Sequence, residues 1–344
     1  MFNRVNIVNV CLGLQSGNLD CLIVYVEINR FVIGEVDVKK VVITGATGTV
    51  GRALIKVCSE AGYEVLAVVH RTSERAAELK TIDNCCVLYL DLSEYDNAMD
   101  EMEKQGIDLN GYELFFHLAW SASFGKGRNN LELQLENVKA SLAAVRFAKS
   151  LGCTTFIGAG SQAEYGRVTE KLSPDTPAFP ETGYGVAKLC AGQMTRLTCE
   201  QMDMKHIWTR ILSVYGPHDG VHSLISVAID DMMHNRETSF TPCDQIWDYI
   251  YSDDAARAML LATQKGNHGS VYVIGSGEAR PLKQYIQKIA AITNYRKEIG
   301  FGKRPYNDKQ VMFLQADLSV LKEWGFIPKV SFEKGIQFLV SLHN

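Results

Sequence analysis

Nowhere among its 344 residues does the chain place about twenty apolar residues in an unbroken row, the length a bilayer-crossing helix needs. A basic run is missing too. Its 35 lysines and arginines are scattered among 39 acids, for a formal charge of −4, which removes the electrostatic reason to expect a nucleic-acid partner. The nine cysteines form no CxxC and no His/Cys cluster at metal-ligand spacing, so no metal site is expected. Their odd number reads as reduced thiols in a cytoplasmic protein. Cys85 and Cys86, adjacent in a predicted strand, read as core filler rather than a redox pair. Internal repeats and low-complexity stretches are also absent. The apolar patches of residues 1–31 are broken by Asn, Gln and Asp, which makes them a poor signal-peptide core.

What is present is ordinary globular composition, 47% hydrophobic and 22% charged, long enough for one large domain or two. From Val38 onward, short β-branched runs alternate with amphipathic stretches. "KKVVIT", "YEVLAVVH", "CCVLYLDL", "YELFFHLAW" and "CTTFIGAG" read as strands, while "VGRALIKVCSEAG", "SERAAELK" and residues 131–149 read as helices. Apolar strands without alternation, separated by helices, predict a parallel sheet covered on both faces. Past Tyr184 follow a helix, the strand "KHIWTRILSVYG", a loop-rich region from Pro217 to Asp244, the strand "WDYIYS", the helix "DDAARAMLLAT" and the strand "GSVYVIGSG". The expected fold is α/β: a doubly wound parallel sheet (38–212 plus 246–274) with a smaller lobe (213–245 plus 275–344).

In "TGATGTVG", Gly45, Gly48 and Gly51 stand three apart where the first strand turns into the first helix. Gly45 suits the tight turn, Gly48 the close approach of a pyrophosphate, and Gly51 the packing of helix on strand. The helix N-terminus then offers unpaired N–H groups to phosphate, so Thr47, Thr49 and Val50 join the predicted dinucleotide site. An NAD site usually ends its second strand with an acid, but here the strand ends "VVHRTSER". Arg71, with His70, Ser73 or Arg75, is placed to bind a 2′-phosphate, so NADP is favoured over NAD. Asp91 and Leu92, ending the third strand, would edge the adenine. Leu118 and Ala119, in "HLA" at the end of the fourth, would line the path to the nicotinamide. His117 reads as a packing or backbone contact, His218 and His222 as loop residues, and Asp253-Asp254 as a helix start.

In "ETGYGVAKL", Tyr184 and Lys188 lie four apart, on one face of a helix. A free phenol titrates at about 10, and a neighbouring ammonium would bring that down enough for proton transfer near neutrality. The lysine could also hold the nicotinamide ribose. Ser161, just past a strand end in "GAGSQAEYG", could donate to the same substrate oxygen.

With these motifs in order, joined by Asn137 in the long helix, "RILSVYGP" and "WDYIYSDDAARA", the chain from Val38 onward resembles the extended short-chain dehydrogenase/reductase family, the NAD-dependent epimerase/dehydratase group acting on nucleotide sugars. The resemblance implies a Rossmann-type sheet with a C-terminal substrate lobe, a catalytic set Ser161, Tyr184 and Lys188, and a homodimer paired through the helices around 137–149 and 184–201. Sugar 4,6-dehydratases place Asp-Glu straight after the catalytic Ser/Thr. Here those positions are Gln162 and Ala163, with Glu164 one late, so the resemblance does not extend to a dehydratase. The family's "RDY" reads "WDY", with Trp247 where an arginine often holds the pyrophosphate. Arg280, Lys303 or Arg304 would then supply the charge, or the substrate is not a typical sugar diphosphate. Gln162, Trp247, Arg280 and Arg304 are the substrate-side candidates. Ser213, where many relatives have Asn, has no sequence-level explanation.

The expected activity is hydride transfer between a nicotinamide and a carbinol or ketone carbon of a nucleotide sugar. The basic end of the second strand favours an NADPH-dependent ketoreductase, with an epimerase holding NAD as the alternative. A dinucleotide-sensing regulator that has lost the chemistry is the reading from another class, and the intact Ser161, Tyr184 and Lys188 argue against it.

"VKKVVITGATG" looks like the start of such a protein, yet it begins at Val38. A GTG start codon is read as valine inside a longer frame, and Gly34-Glu35 can be encoded by a ribosome-binding sequence. Residues 1–37 are therefore expected to be an over-extended start in a bacterial gene, the rival being a real β-rich extension. Intact-mass analysis of the protein from its native host decides between them: the expected mass begins at residue 38, and a mass that includes Met1 removes the expectation.

Overall fold

The structure, a computed structural model, describes residues 39–343, so the expectation for residues 1–37 lies outside the described residues. Its elements run β1 (Lys40–Thr44), α1 (Thr49–Glu60), β2 (Glu64–Val69), α2 (Ala76–Leu79), β3 (Cys85–Tyr89), α3 (Ala98–Lys104), β4 (Tyr112–His117), α4 (Leu131–Ser150), β5 (Thr155–Ser161), α5 (Gly183–Gln201) and β6 (Lys205–Ile211). They continue as β7 (Ser213–Tyr215), α6 (Leu224–Met233), β8 (Ile246–Trp247), β9 (Tyr249–Tyr251), α7 (Ser252–Lys265), β10 (Ser270–Ile274), β11 (Arg280–Pro281), α8 (Leu282–Ile292), α9 (Ser319–Glu323) and α10 (Phe332–Ser341).

Seven of these strands make one parallel sheet in the order β10-β6-β5-β4-β1-β2-β3. Val41, Val42 and Ile43 in β1 are fully buried, which is why this strand shows no alternation: helices cover both of its sides. On one face, Leu54 and Ile55 of α1 and Met259 of α7 share a core with Val41 and Ile43. On the other, Met102 of α3 and Phe147 of α4 pack with Val42 and Phe115. This is the doubly wound, Rossmann-type α/β sheet. The chain moves outward from β1 to β2 and β3, then returns to pair β4 on the other side of β1. That reversal opens a crevice at the carboxyl ends of β1 and β4, where open parallel sheets take their ligands.

The C-terminal part departs from the sequence expectation in three places. Residues 217–244 are not loop throughout, because 224–233 form α6. Ser223 caps it by accepting from the Ser226 N–H at 3.1 Å, and Ile225, Ala228, Ile229 and Met232 bury one helical face. "KHIWTRILSVYG" is two strands: β6 stays in the main sheet, while β7 leaves it to pair in parallel with β9. "WDYIYS" likewise divides into β8 and β9, because Asp248 turns inward. Its buried carboxylate accepts from the N–H groups of Ser276, Gly277 and Ala316 at 2.8–3.0 Å and from the Ser276 hydroxyl at 2.6 Å. Strand β8 pairs with β11 in antiparallel fashion, setting Trp247 opposite Arg280. Ile225 and Ile229 of α6, Tyr285 and Ile289 of α8, and Phe332 and Ile336 of α10 build a separate core around Tyr215.

Asp254 ties the end of the chain back to the sheet. It is fully buried in the first turn of α7 and accepts from the Lys329 and Val330 N–H groups at 2.7 and 2.9 Å. Asp253 beside it reaches Lys56 of α1 at 2.6 Å. The acid pair that reads as a helix start thus also joins three segments. Among the described residues no helix is long and apolar enough to cross a membrane.

Candidate functional site

At the crevice, Gly45 turns with φ +69°. A Cβ on Gly51 would fall 2.4 Å from the Gly45 carbonyl oxygen, so only glycine lets α1 start this close to β1. Gly48 is the N-cap of α1. Among the described residues no side chain caps that end, and no acid stands in the first turn. Thr49 and Val50 therefore open a helix whose first N–H groups have no side-chain acceptor, while Thr47 lies in the turn just before. The Nε atom of Arg52, the residue after Gly51, is buried without a hydrogen-bond partner among the described residues. An uncapped helix start free of acids, at the reversal point of a parallel sheet, fits the pyrophosphate of a dinucleotide.

The end of β4 is tied to the end of β1. The Leu118 and Ala119 N–H groups both donate to the Thr44 hydroxyl oxygen at 3.2 Å. His117 lies buried with Nδ1 3.0 Å from the Thr44 hydroxyl and Nε2 3.1 Å from that of Ser141. The Ser141 hydroxyl donates to the Asn137 carbonyl at 2.8 Å, so the tautomer that satisfies every group carries its proton on Nε2. Burial, with Lys188 adding to it, takes the His117 pKa down to about 3. His117 is a neutral strut between strand and helix, in line with its reading as a packing contact.

The end of β2 differs from what its sequence suggests. Arg71 gives its guanidinium to Glu94 at 2.8 and 3.0 Å and to Glu101 at 2.6 Å, and its N–H donates to Asp91 at 2.9 Å. The Nε2 of His70 stands 3.4 Å from Asp91. Asp91 and Glu94 form a capping box around the short 3₁₀ turn Leu92–Asn97, and the Leu92 side chain packs on the core beneath it. A 2′-phosphate at Arg71 must therefore compete with two carboxylates. The Arg75 guanidinium reaches the His218 carbonyl at 3.4 Å, and Arg52 donates to the Arg75 carbonyl at 3.0 Å, pairs with Glu78 at 2.7 Å and stands 3.5 Å from the His218 ring. His218, read as a loop residue, thus stands in a loop against the side chains of Arg52 and Arg75.

Ser161 ends β5, and Tyr184 and Lys188 come from the first turns of α5. Thr182 caps that helix by accepting from the Gly185 N–H at 3.1 Å. A Cβ on Gly185 would sit 2.3 Å from the Ala163 carbonyl oxygen, so this glycine lets Tyr184 close onto the turn that carries Ser161. Tyr184 is 9% exposed and Lys188 4%. Burial raises the Tyr184 phenol above its ordinary pKa, opposed by hydrogen bonding to Ser161 and by the charge of Arg128. Lys188 donates to the Ala159 carbonyl at 2.7 Å, and its Nζ lies 3.8 Å from the Trp120 ring centroid and 5.9 Å from that of Tyr184. Burial lowers Lys188 to about 7. The order of effects expected from the sequence is thus reversed in the protein alone. Desolvation, not the ammonium, governs the phenol, because both groups have been withdrawn from water.

Glu164 is the group whose setting the sequence least reveals. It is fully buried and accepts from the Ser161 N–H at 2.7 Å, from Arg210 Nε at 2.7 Å and from the Trp208 indole at 3.0 Å. Gln162 opens the short 3₁₀ turn Gln162–Glu164 and is half-buried. The two departures from the family pattern meet: the Trp247 indole donates to the Ser213 hydroxyl at 2.8 Å. Arg280, across from Trp247, pairs with Glu333 at 2.9 Å and lies over the Tyr285 ring at 4.4 Å. Arg304 is exposed and donates to the Ser239 hydroxyl at 3.2 Å, with Lys303 exposed beside it. Sequence reasoning missed Arg128 and Trp120 of the β4–α4 connection, which border Tyr184. No motif marks them.

The model of the NAD dependent epimerase/dehydratase family matches residues 41–275. A dTDP-4-dehydro-6-deoxyglucose reductase of Escherichia coli is 26% identical over 313 residues, spanning 87% of this chain and 96% of the relative. A dTDP-D-glucose 4,6-dehydratase of Mus musculus is 24% identical over 325 residues, 89% of each. The solved UDP-glucose 4-epimerase of Thermus thermophilus, in complex with NAD, superposes with a TM-score of 0.76 at 20% identity, covering 88% of this chain and 98% of that one.

Reductase and dehydratase relatives stand side by side, so the acid after β5 needs a physical test. Glu164→Gln is expected to destabilise the protein by about 3–5 kcal/mol, because it leaves the buried Arg210 guanidinium without its counter-charge. Replacing Glu164 and Arg210 together by Met is expected to recover most of that loss. Urea unfolding reads both; a Glu164→Gln protein as stable as the wild type would show that the carboxylate is not structural and return it to the list of acids available for elimination.

Proposed function

The chain belongs to the NAD dependent epimerase/dehydratase family, and from that membership we propose that it is an NADPH-dependent ketoreductase acting on a nucleotide-linked keto sugar in the cytoplasm. The observation that carries this reading is the convergence of Ser161, Tyr184 and Lys188 at the carboxyl ends of β4 and β5, beside the uncapped start of α1. Gly45, Gly48 and the first turn of α1 would hold the pyrophosphate, with Leu118 and Ala119 beside the nicotinamide and Asp91 and Leu92 toward the adenine. When bound, the nicotinamide supplies the hydride. Ser161 donates a hydrogen bond to the substrate oxygen and fixes its position. Tyr184 delivers the phenolic proton to that oxygen as its charge develops, and Lys188 holds the ribose and faces the phenol from its own helix. Similarity to the E. coli reductase over nearly its whole length supports the reductive direction and suggests a dTDP- or similarly activated 4-dehydro sugar.

For the cofactor, we propose that the 2′-phosphate is met by Arg75 with His70 and Ser73, since Arg71 is already paired with Glu94 and Glu101. That same pairing favours the second reading, an epimerase with tightly held NAD: it sets the one guanidinium of Arg71 against Glu94 and Glu101 and leaves it no surplus positive charge for a 2′-phosphate, and the Thermus epimerase of like fold holds NAD. A 4,6-dehydratase is disfavoured on the ground that Gln162 and Ala163 can neither give nor take the protons of water elimination, and that Glu164 is turned to Arg210 and Trp208. Trp247 and Ser213 would line the sugar-nucleotide side, with Arg304 near the phosphates and Arg280 behind Trp247.

Two copies are proposed to pair through α4 and α5. Leu131 and Leu135 on α4 and Val186, Met194 and Leu197 on α5 stay 41–60% exposed, at spacings that line one face of each helix. Sedimentation at micromolar concentration is expected to give a dimer, and Met194→Glu with Leu197→Glu a folded monomer. A wild-type monomer would refute the pairing.

Activity is tested by mixing the protein with a dTDP-linked 4-dehydro sugar and either NADPH or NADH. The expected result is stoichiometric NADPH oxidation, slower with NADH, and a loss of about 10²–10⁴-fold in turnover for Tyr184→Phe with dinucleotide binding intact. Stoichiometric NAD released on denaturation, with interconversion of two sugar epimers and no net NADPH use, would select the epimerase instead. A Tyr184→Phe protein as active as the wild type would sink both readings.

A further inference from the structure

A buried phenol that must ionise needs a positive charge that stays positive. Lys188 supplies this only in part. Its Nζ points to the Ala159 carbonyl and the Trp120 ring, and burial lowers its own pKa to about 7, so it loses charge before a phenol begins to ionise. The other cation over the Tyr184 ring is Arg128, from the connection between β4 and α4. Its guanidinium carbon lies 4.3 Å from the ring centroid, against 5.9 Å for Lys188 Nζ. Guanidinium groups keep their charge at any pH a protein survives.

We propose that Arg128 is the electrostatic and positioning partner of Tyr184: its guanidinium is held against the ring face by a stapled loop and favours the phenolate. This rests on the reading of Tyr184 as the proton-transfer group and extends it to a residue outside the family's Ser-Tyr-Lys set.

Three observations hold the proposal up. The loop is built rather than draped. Buried Asn137 exchanges hydrogen bonds with the Ser121 backbone at 2.8 and 3.0 Å. Buried Gln134 donates to the Ala122 and Gly127 carbonyls at 3.2 and 3.0 Å and accepts from the Trp120 indole at 2.9 Å. The loop is also fastened to the tyrosine's own helix, because the Gly183 N–H donates to the Asn129 side chain at 3.0 Å, one residue from Arg128 on one side and one from Tyr184 on the other. Finally, among the described residues the charge is not given to an acid. Arg71, Arg210 and Arg280 are each paired with a carboxylate, whereas the hydrogen bond of Arg128 goes to the neutral Ser123 carbonyl at 2.8 Å. A guanidinium over a phenol face favours the ionised ring, whose charge is spread into the π system. The charged groups facing Tyr184 are then Arg128 from the loop and Lys188 from its own helix, opposed by Glu164 from the turn after β5.

The test reads the phenol itself and needs no substrate. An ultraviolet difference titration of the full-length protein against its Tyr184→Phe variant isolates one phenol among 14 tyrosines. The same pair is then titrated with Arg128→Gln, which keeps a donor for the Ser123 carbonyl, with Arg128→Met, and with Arg128→Lys. Both neutral variants are expected to show roughly tenfold less phenolate at a given pH, with Lys restoring most of it. Either neutral variant suffices if the other fails to fold, which thermal unfolding reports. A Tyr184 titration unmoved by the neutral variants overturns the proposal, as does an equal shift with Lys and Gln, which would assign the effect to loop packing. Should the protein turn over no sugar while the titration still follows the charge at 128, the assigned reaction fails and the Arg128–Tyr184 coupling stands.

Discussion

Withdrawal from water is the constraint on which the rest of the site depends. Tyr184 and Lys188, four residues apart on α5, are both buried at the carboxyl ends of β4 and β5. Burial works against the charged form of each, raising the phenol and lowering the ammonium to about 7. The proton transfer proposed for Tyr184 cannot draw on the acidity of a free phenol. What surrounds them must restore the balance: the Ser161 hydroxyl, the Ala159 carbonyl that anchors the ammonium, and the Arg128 charge over the ring.

A network of polar groups holds that surround in place. Thr44 joins the ends of β1 and β4, His117 joins Thr44 to Ser141, and Ser141 joins to Asn137, which holds the loop bearing Arg128. On the other flank, Glu164 fixes the Ser161 backbone while lying between Arg210 and Trp208. Each member is buried and partnered, the condition under which such networks stiffen a site instead of weakening it. The crevice at the sheet reversal is thereby lined by side chains with little freedom, as the proposed hydride and proton transfer to one carbon–oxygen bond would require.

Much of this was legible in the amino-acid order. The unalternating strands from Val41 to Ala159 announced a parallel sheet with both faces covered, because burial on two sides leaves no polar face to encode. The spacing of Gly45, Gly48 and Gly51 announced an uncapped helix start, since each missing Cβ answers to a local turn or contact. Helix α6 was legible in principle, from Ser223 as a cap and the i, i+3, i+4, i+7 burial of Ile225, Ala228, Ile229 and Met232, but the short segment lay between turn residues and read as loop. The breaks at Leu212 and Asp248 were not legible, because they arise where strands leave one sheet to pair in another.

By itself, then, the sequence determined what depends on neighbours along the chain: the strands, the glycine turn, and the Tyr184–Lys188 pair, whose spacing puts both on one face of α5, with Ser161 at the end of β5. Only the tertiary structure decided what each charge faces. Arg71 looked open to a phosphate and lies against Glu94 and Glu101 from other segments. Glu164 looked misplaced and is the buried partner of Arg210, 46 residues away. Arg128, in no motif, lies over Tyr184. Coulomb interactions and desolvation depend on distance through space and on exclusion of water, and neither is written in the order of the residues.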